Sequence, residues 1–285
     1  MTVIPCERDA AVRAQIDRFV EVLKTQAHLL GDHGLSEQAF YESPIFRGAV
    51  EVLRGEYSAT LRPKREFVQR VLNHLQDGGH IADWERAEGR ARNDYKVRLN
   101  SGRVAVIDLK GCLDGNNTTI SERPPEADEF VVWSVCTNVG ADPELNAWSG
   151  VHSRLGAEMI VRGQRVDGVI IWDWVCGCSG RPCPKLSGDQ AARRTVIGPY
   201  APPPPCIYVF PGEIPSPGTP VARAQPLTNV ELLAAFHAAF GGRDEEVHFV
   251  DFELAQRGAN RQRRTLVRRS GELQRASRMT PIRRA

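Results

Sequence analysis

Asn93-Asp94-Tyr95-Lys96-Val97-Arg98-Leu99-Asn100-Ser101-Gly102-Arg103-Val104-Ala105-Val106-Ile107-Asp108-Leu109-Lys110-Gly111 holds two alternating runs on either side of Asn100-Ser101-Gly102. The central triplet is turn chemistry, so the stretch predicts a β-hairpin with a short loop. Counting outward from the loop sets Leu99 opposite Arg103 and Asp94 opposite Asp108. Side chains alternate along a strand, so Asp108 and Lys110 share a face, and Asp94 joins them from the partner strand. The other face carries Tyr95, Val97, Leu99, Ala105, Ile107 and Leu109, which is a core face. Two carboxylates and an ammonium thus gather at one end of a buried hairpin. Adjacent carboxylates repel unless a cation sits between them. Hard oxygen ligands suit Mg²⁺, and a lysine beside them suits a developing oxyanion. The alternative is a surface hairpin with solvated charges; against it stands the poor fit of aspartate to strand interiors.

Such a set is what phosphodiester hydrolysis needs: bound Mg²⁺ polarises the phosphate, and the lysine orients or deprotonates the attacking water or holds transition-state charge. Asp94 followed by Asp108-Leu109-Lys110 resembles the PD-(D/E)xK nuclease superfamily, to which most type II restriction endonucleases belong. Asp94 stands as the first acid and Asp108-Leu109-Lys110 as the D-x-K tripeptide, with Asn93 where the pattern often has proline. The motif spans less than a tenth of the chain. The resemblance implies an α/β fold with a restriction-endonuclease-like core, a mixed β-sheet flanked by helices. It implies Asp94, Asp108 and Lys110 as catalytic residues, and Mg²⁺ held by Asp94, Asp108 and Leu109. In many members the helix before the first strand adds a glutamate; Glu66 is the candidate here, although an acid near a helix start is also favourable for the helix itself.

Composition agrees with a globular chain: 285 residues, a net charge of +2 and 25% charged residues allow ample core. No run approaches transmembrane length and no signal peptide is visible. Seven cysteines, an odd count, argue for reduced thiols and a cytoplasmic location. Residues 1–80 read as a helical region, with helices over about 10–30, 44–53 and 63–75; the third carries the stripe Phe67, Val68, Val71, Leu72 and Leu75 and stops at Asp77-Gly78-Gly79. Residues 81–255 read as the nuclease core. Phe130 to Cys136 is apolar and leaves helix or strand open. Leu145 to Val161 reads as a helix, Val166 to Asp173 as a strand, Cys206 to Phe210 as a strand, and Val247 to Leu254 as a strand. Thr228-Asn229-Val230-Glu231 reads as a capping box opening a helix that ends at Gly241-Gly242. The proline-rich segment 199–220 reads as draped over the surface.

Three further groups bear on partners. Asn116 and Asn117, in the polar loop after Lys110, suit phosphate or base contacts, or belong to a plain turn. Cys176, Cys178 and Cys183, with Cys206 or Cys136 as a fourth ligand, could hold a structural Zn²⁺; the other reading is a loop of reduced cysteines. Residues 256–285 lose periodicity and read as an arginine-rich tail: from 261 onward nine arginines, Arg261, Arg263 and Arg264 among them, face one acid, Glu272. Such a tail suits phosphate contact through counterion release, or is a solvated terminus. Together these features predict a Mg²⁺-dependent endonuclease of double-stranded DNA, of the type II restriction kind, acting as a homodimer and away from membranes. The alternatives are a repair or recombination nuclease of the same superfamily and a non-catalytic DNA-binding protein.

Overall fold

The computed structural model describes residues 14, 17–21, 62–87, 94–111, 113, 120–135, 148–172, 194–258 and 260–282. The expected helix over 44–53 lies outside them, and of the helix over 10–30 the described residues 14 and 17–21 are helical. Helix α1 spans Arg62–Asp77 and buries Phe67, Val68, Val71, Leu72 and Leu75 completely. It ends where Gly79 takes a positive φ of 69°, a conformation that glycine adopts without steric cost.

Strands β1 (Asp83–Arg86), β2 (Tyr95–Arg98), β3 (Val104–Lys110), β4 (Glu129–Ser134) and β5 (Gly168–Ile171) form one half of a mixed sheet. Strands β1, β2 and β3 meander antiparallel, whereas β3, β4 and β5 run parallel. The apolar run left open by the sequence is therefore β4. It is buried along its whole length, as expected for a parallel strand covered on both faces. Between β4 and β5 the described residues hold a helical unit, π-helical over Ser149–Leu155 and continuing as α2 (Gly156–Arg162). Strand β6 (Cys206–Val209) pairs antiparallel with β5 and parallel with β8 (His248–Arg257). The short β7 (Val221–Ala222) sits on β8, and α3 spans Glu231–Ala239.

Two cores lie on the two faces of the sheet. One joins α1 and α3 to Tyr95, Val97, Ile107, Leu109 and Trp133. The other joins Val151, Leu155 and Met159 of the intervening helix to Val106, Val132, Val169, Phe252 and Val267. The molecule is thus α/β with a large mixed sheet between helical layers.

Three sequence expectations are corrected. Residues beyond 256 are not an irregular tail: β9 (Asn260–Arg269) pairs with β8 over ten residues, and β10 (Glu272–Ala276) and β11 (Thr280–Pro281) pair with β9. The arginines hide the alternation, because the apolar residues Leu266 and Val267 are adjacent and the buried positions of β9 are Arg263 and Thr265 to Val267. The proline-rich segment is not confined to the surface, since Pro202 to Pro205 are buried. The Thr228 capping box does not form. Leu227–Asn229 is a 3₁₀ turn, Val230 occupies the N-cap position without a side-chain bond, and the first free amides of α3 are capped from β4. Glu129 Oε1 accepts from Glu231 N at 2.8 Å, and Oε2 from Leu232 N at 3.0 Å.

Candidate active site

The hairpin folds in the register that its turn dictates. Leu99 N donates to Arg103 O at 2.9 Å and Gly102 N to Leu99 O at 3.0 Å. Gly102 has φ 85°, the left-handed geometry a short loop of this kind needs. The β2–β3 pairs run from Arg98↔Val104 to Tyr95↔Ile107, so the next pair outward is Asp94 and Asp108. Asp94 N donates to Ile107 O at 3.0 Å, and the Asp94 carboxylate turns back onto the partner strand, where Oδ2 accepts from Leu109 N at 2.8 Å.

Asp108 is buried, at 1% exposure. Its Oδ1 lies 2.6 Å from Lys110 Nζ, and its Oδ2 accepts from Ser121 N at 2.8 Å. Burial pushes the Asp108 carboxyl above the usual range; the Lys110 charge and hydrogen bond and the Ser121 amide oppose this, and the nearby Asp94 charge pushes it up again. The end of β3 is tied to β4, with Val135 N donating to Lys110 O and Ser134 Oγ to Gly111 O, each at 2.8 Å. The pair therefore stands at the carboxyl end of the parallel strands, where open α/β sheets commonly place ligands.

A divalent cation fits this donor set. Asp94 is half-buried, and its Oδ1 takes no partner among the described residues, while each carboxylate oxygen has two acceptor sites. Two carboxylates facing each other in a partly dry setting are eased by positive charge between them. Leu109 can contribute only its main chain, because its side chain lies in the core. Glu66 falls in the second turn of α1. The far end of α1 meets the hairpin loop through Asn100 Nδ2 and Gly79 O at 2.8 Å. The near end bears on the Asp94 side of the hairpin, where the Arg65 charge acts on Tyr95. However, α1 packs on the face of Ile107 and Leu109, whereas Asp108 projects from the other face. Among the described residues no three His, Cys, Asp or Glu side chains group closely enough to hold one ion. The structure thus brings Asp94, Asp108 and Lys110 together and leaves Glu66 across the sheet.

Cys206 opens β6 opposite Ile171 as a half-buried free thiol; Cys176, Cys178 and Cys183 lie outside the described residues, as do Asn116, Asn117 and Cys136. Arg261 is exposed on β9. Arg264 pairs with Glu253 at 3.6 Å. Arg263 is corrected from a surface cation to a buried one, 4% exposed, because odd-numbered positions of β9 face the second core. The Ser121 amide was not foreseen: it reaches Asp108 from a loop with no periodicity of its own, and only the fold joins them. No protein-family model matches the chain, nor does any curated protein or solved structure.

Proposed function

We propose that the protein is a Mg²⁺-dependent endonuclease that hydrolyses phosphodiester bonds of double-stranded DNA, of the site-specific type II restriction kind. The observation that carries this reading is the Asp94–Asp108 pair facing across β2 and β3 with Lys110 Nζ held 2.6 Å from Asp108. The order α1, antiparallel hairpin, parallel strands with an intervening helix agrees with a restriction-endonuclease-like core. Asp94 and Asp108 would hold the ion, with the Leu109 carbonyl as a further oxygen. When bound, Mg²⁺ supplies positive charge to the scissile phosphate and the leaving 3′-oxygen.

The rest is done by the chain. Asp94 is oriented by Leu109 N, and Asp108 by Ser121 N, so neither carboxylate needs to reorganise as charge develops. Lys110 would donate to the attacking water or to a phosphoryl oxygen and hold charge in the transition state. A homodimer would place two such sites about a two-fold axis, one for each strand of a palindrome, and a cytoplasmic location suits DNA as substrate.

Supercoiled plasmid incubated with the protein and Mg²⁺ tests this reading. Discrete fragments support a site-specific cutter. A smear points to a nonspecific nuclease of the same chemistry. Intact plasmid that is retarded in a gel overturns the enzymatic reading in favour of a DNA-binding protein. With Ca²⁺, which fits the oxygen donors, binding without cleavage is expected.

A further inference from the structure

Trp148, His152, Arg263 and Arg275 form a second polar cluster, on the sheet face that the helix between β4 and β5 covers. The Trp148 and His152 rings stack with centroids 5.0 Å apart and planes 12° from parallel. The Arg275 guanidinium lies 4.5 Å over the Trp148 ring, a cation–π contact. Beneath them Arg263 Nη1 donates to Thr265 Oγ1 at 3.2 Å and to His152 Nδ1 at 3.3 Å. A guanidinium only donates, so Nδ1 is the accepting nitrogen; in the neutral ring Nε2 then carries the proton and remains a donor.

Among the described residues, positive charge in this cluster has no counterion. Arg263 is 4% exposed and its Nε is buried without a hydrogen-bond partner. Among the described residues neither Arg263 nor Arg275 meets a carboxylate, although Arg264 and Arg268 on the same β9 pair with Glu253 and Asp251. A buried cation without an anion is costly, and an unbonded buried donor calls for a partner. Burial, then the Arg263 charge, then the Arg275 charge hold the His152 imidazole down at about 4, and burial holds Arg263 at about 10. An anion seated here would relieve all three groups.

We propose that this cluster is a phosphate-binding site that takes a backbone phosphate of the bound DNA. Arg275 and His152 Nε2 are its direct donors, and Arg263 adds a buried charge that solvent screens poorly. Trp148 packs against both donors, stacking on the His152 ring and carrying the Arg275 guanidinium over its own. The carrier of the phosphate rests on the DNA reading above; the affinity for phosphate does not.

The test uses the full chain in EDTA. Thermal unfolding is followed in inorganic phosphate and in chloride of equal ionic strength, and binding of a fluorescent DNA duplex is followed by anisotropy over a range of KCl. Arg275→Gln and His152→Phe are compared with Arg257→Gln, which removes an exposed arginine elsewhere on the sheet. These variants leave the buried Arg263 in place, and the same melts show whether each keeps a cooperative transition. Phosphate should raise the wild-type midpoint by several degrees over chloride, and both cluster variants should lose that rise while Arg257→Gln keeps it. Arg275→Gln should bind the duplex about tenfold more weakly and lower the salt slope by about one. No phosphate effect beyond chloride in the wild type overturns the proposal, as does equal behaviour of Arg275→Gln and Arg257→Gln. A phosphate effect that depends on Arg275, in a protein that binds no duplex, upholds the anion site and overturns the DNA reading instead.

Discussion

At Asp108 four influences meet on one carboxylate: burial, a lysine two residues on, the Ser121 amide, and a second acid across the strand pair. If the pair holds Mg²⁺, Asp94→Ala and Asp108→Ala should each lower plasmid cleavage by at least about a hundredfold while leaving DNA affinity in EDTA close to wild type; near wild-type cleavage by Asp108→Ala would remove the pair from the mechanism. Lys110→Ala should cost about two orders of magnitude in single-turnover rate. Lys110→Arg should rescue poorly, since a guanidinium has another shape and does not give up its proton. His152 sets a pH dependence of its own. Its folded pKa, about 4 against 6.5, means that the unfolded chain binds the proton more readily. The associated stability is present above about 6.5 and lost as pH falls toward 4. Between pH 7 and 5 the wild type should lose about 1–2 kcal/mol that His152→Gln keeps, read from urea unfolding at each pH.

The helix α3 shows how an element can be completed from outside its own sequence. Thr228 stands where a capping box would begin, yet the amides of Glu231 and Leu232 bond to Glu129, a hundred residues earlier on β4. Burial pushes the Glu129 carboxyl up, and those two amides and Arg103 hold it down against that push. Glu231 in turn accepts from the hairpin loop through Ser101 N at 3.1 Å, so β4, α3 and the hairpin are linked by two acids. Glu129→Ala should therefore cost about 2 kcal/mol of unfolding free energy, and Thr228→Ala less than about 0.5 kcal/mol. Equal effects of the two substitutions would mean that α3 is capped locally after all.

Across the whole molecule, the large mixed sheet, eleven strands among the described residues, is covered on both faces, and β9 to β11 are part of the fold rather than an appendage. Val250 and Phe252 of β8 and Val267 of β9 belong to the same core as the helix between β4 and β5. Truncation after Gln256 should uncover that core, and the product should lose its cooperative thermal transition by circular dichroism. A truncated chain that unfolds with an unchanged midpoint would show that β9 and β10 contribute nothing to the core.

The hairpin was legible because its signals are local: turn residues at Asn100-Ser101-Gly102 and period-2 alternation on both sides fix the register, and the register alone sets Asp94 opposite Asp108. The α1 stripe was legible for the same reason, a 3.6-residue period with a glycine stop. β4 was not, because a strand buried on both faces is apolar throughout and carries no period. β9 was not, because its arginines mask a face that only tertiary packing buries, and packing turns Arg263 from a solvated charge into a buried one. The sequence by itself determined which residues share a hairpin face. The tertiary structure decided which of them are dry, that Ser121 and Glu129 complete distant elements, and that Glu66 lies across the sheet, since burial and long-range hydrogen bonds depend on what packs above a residue and not on its neighbours in the chain.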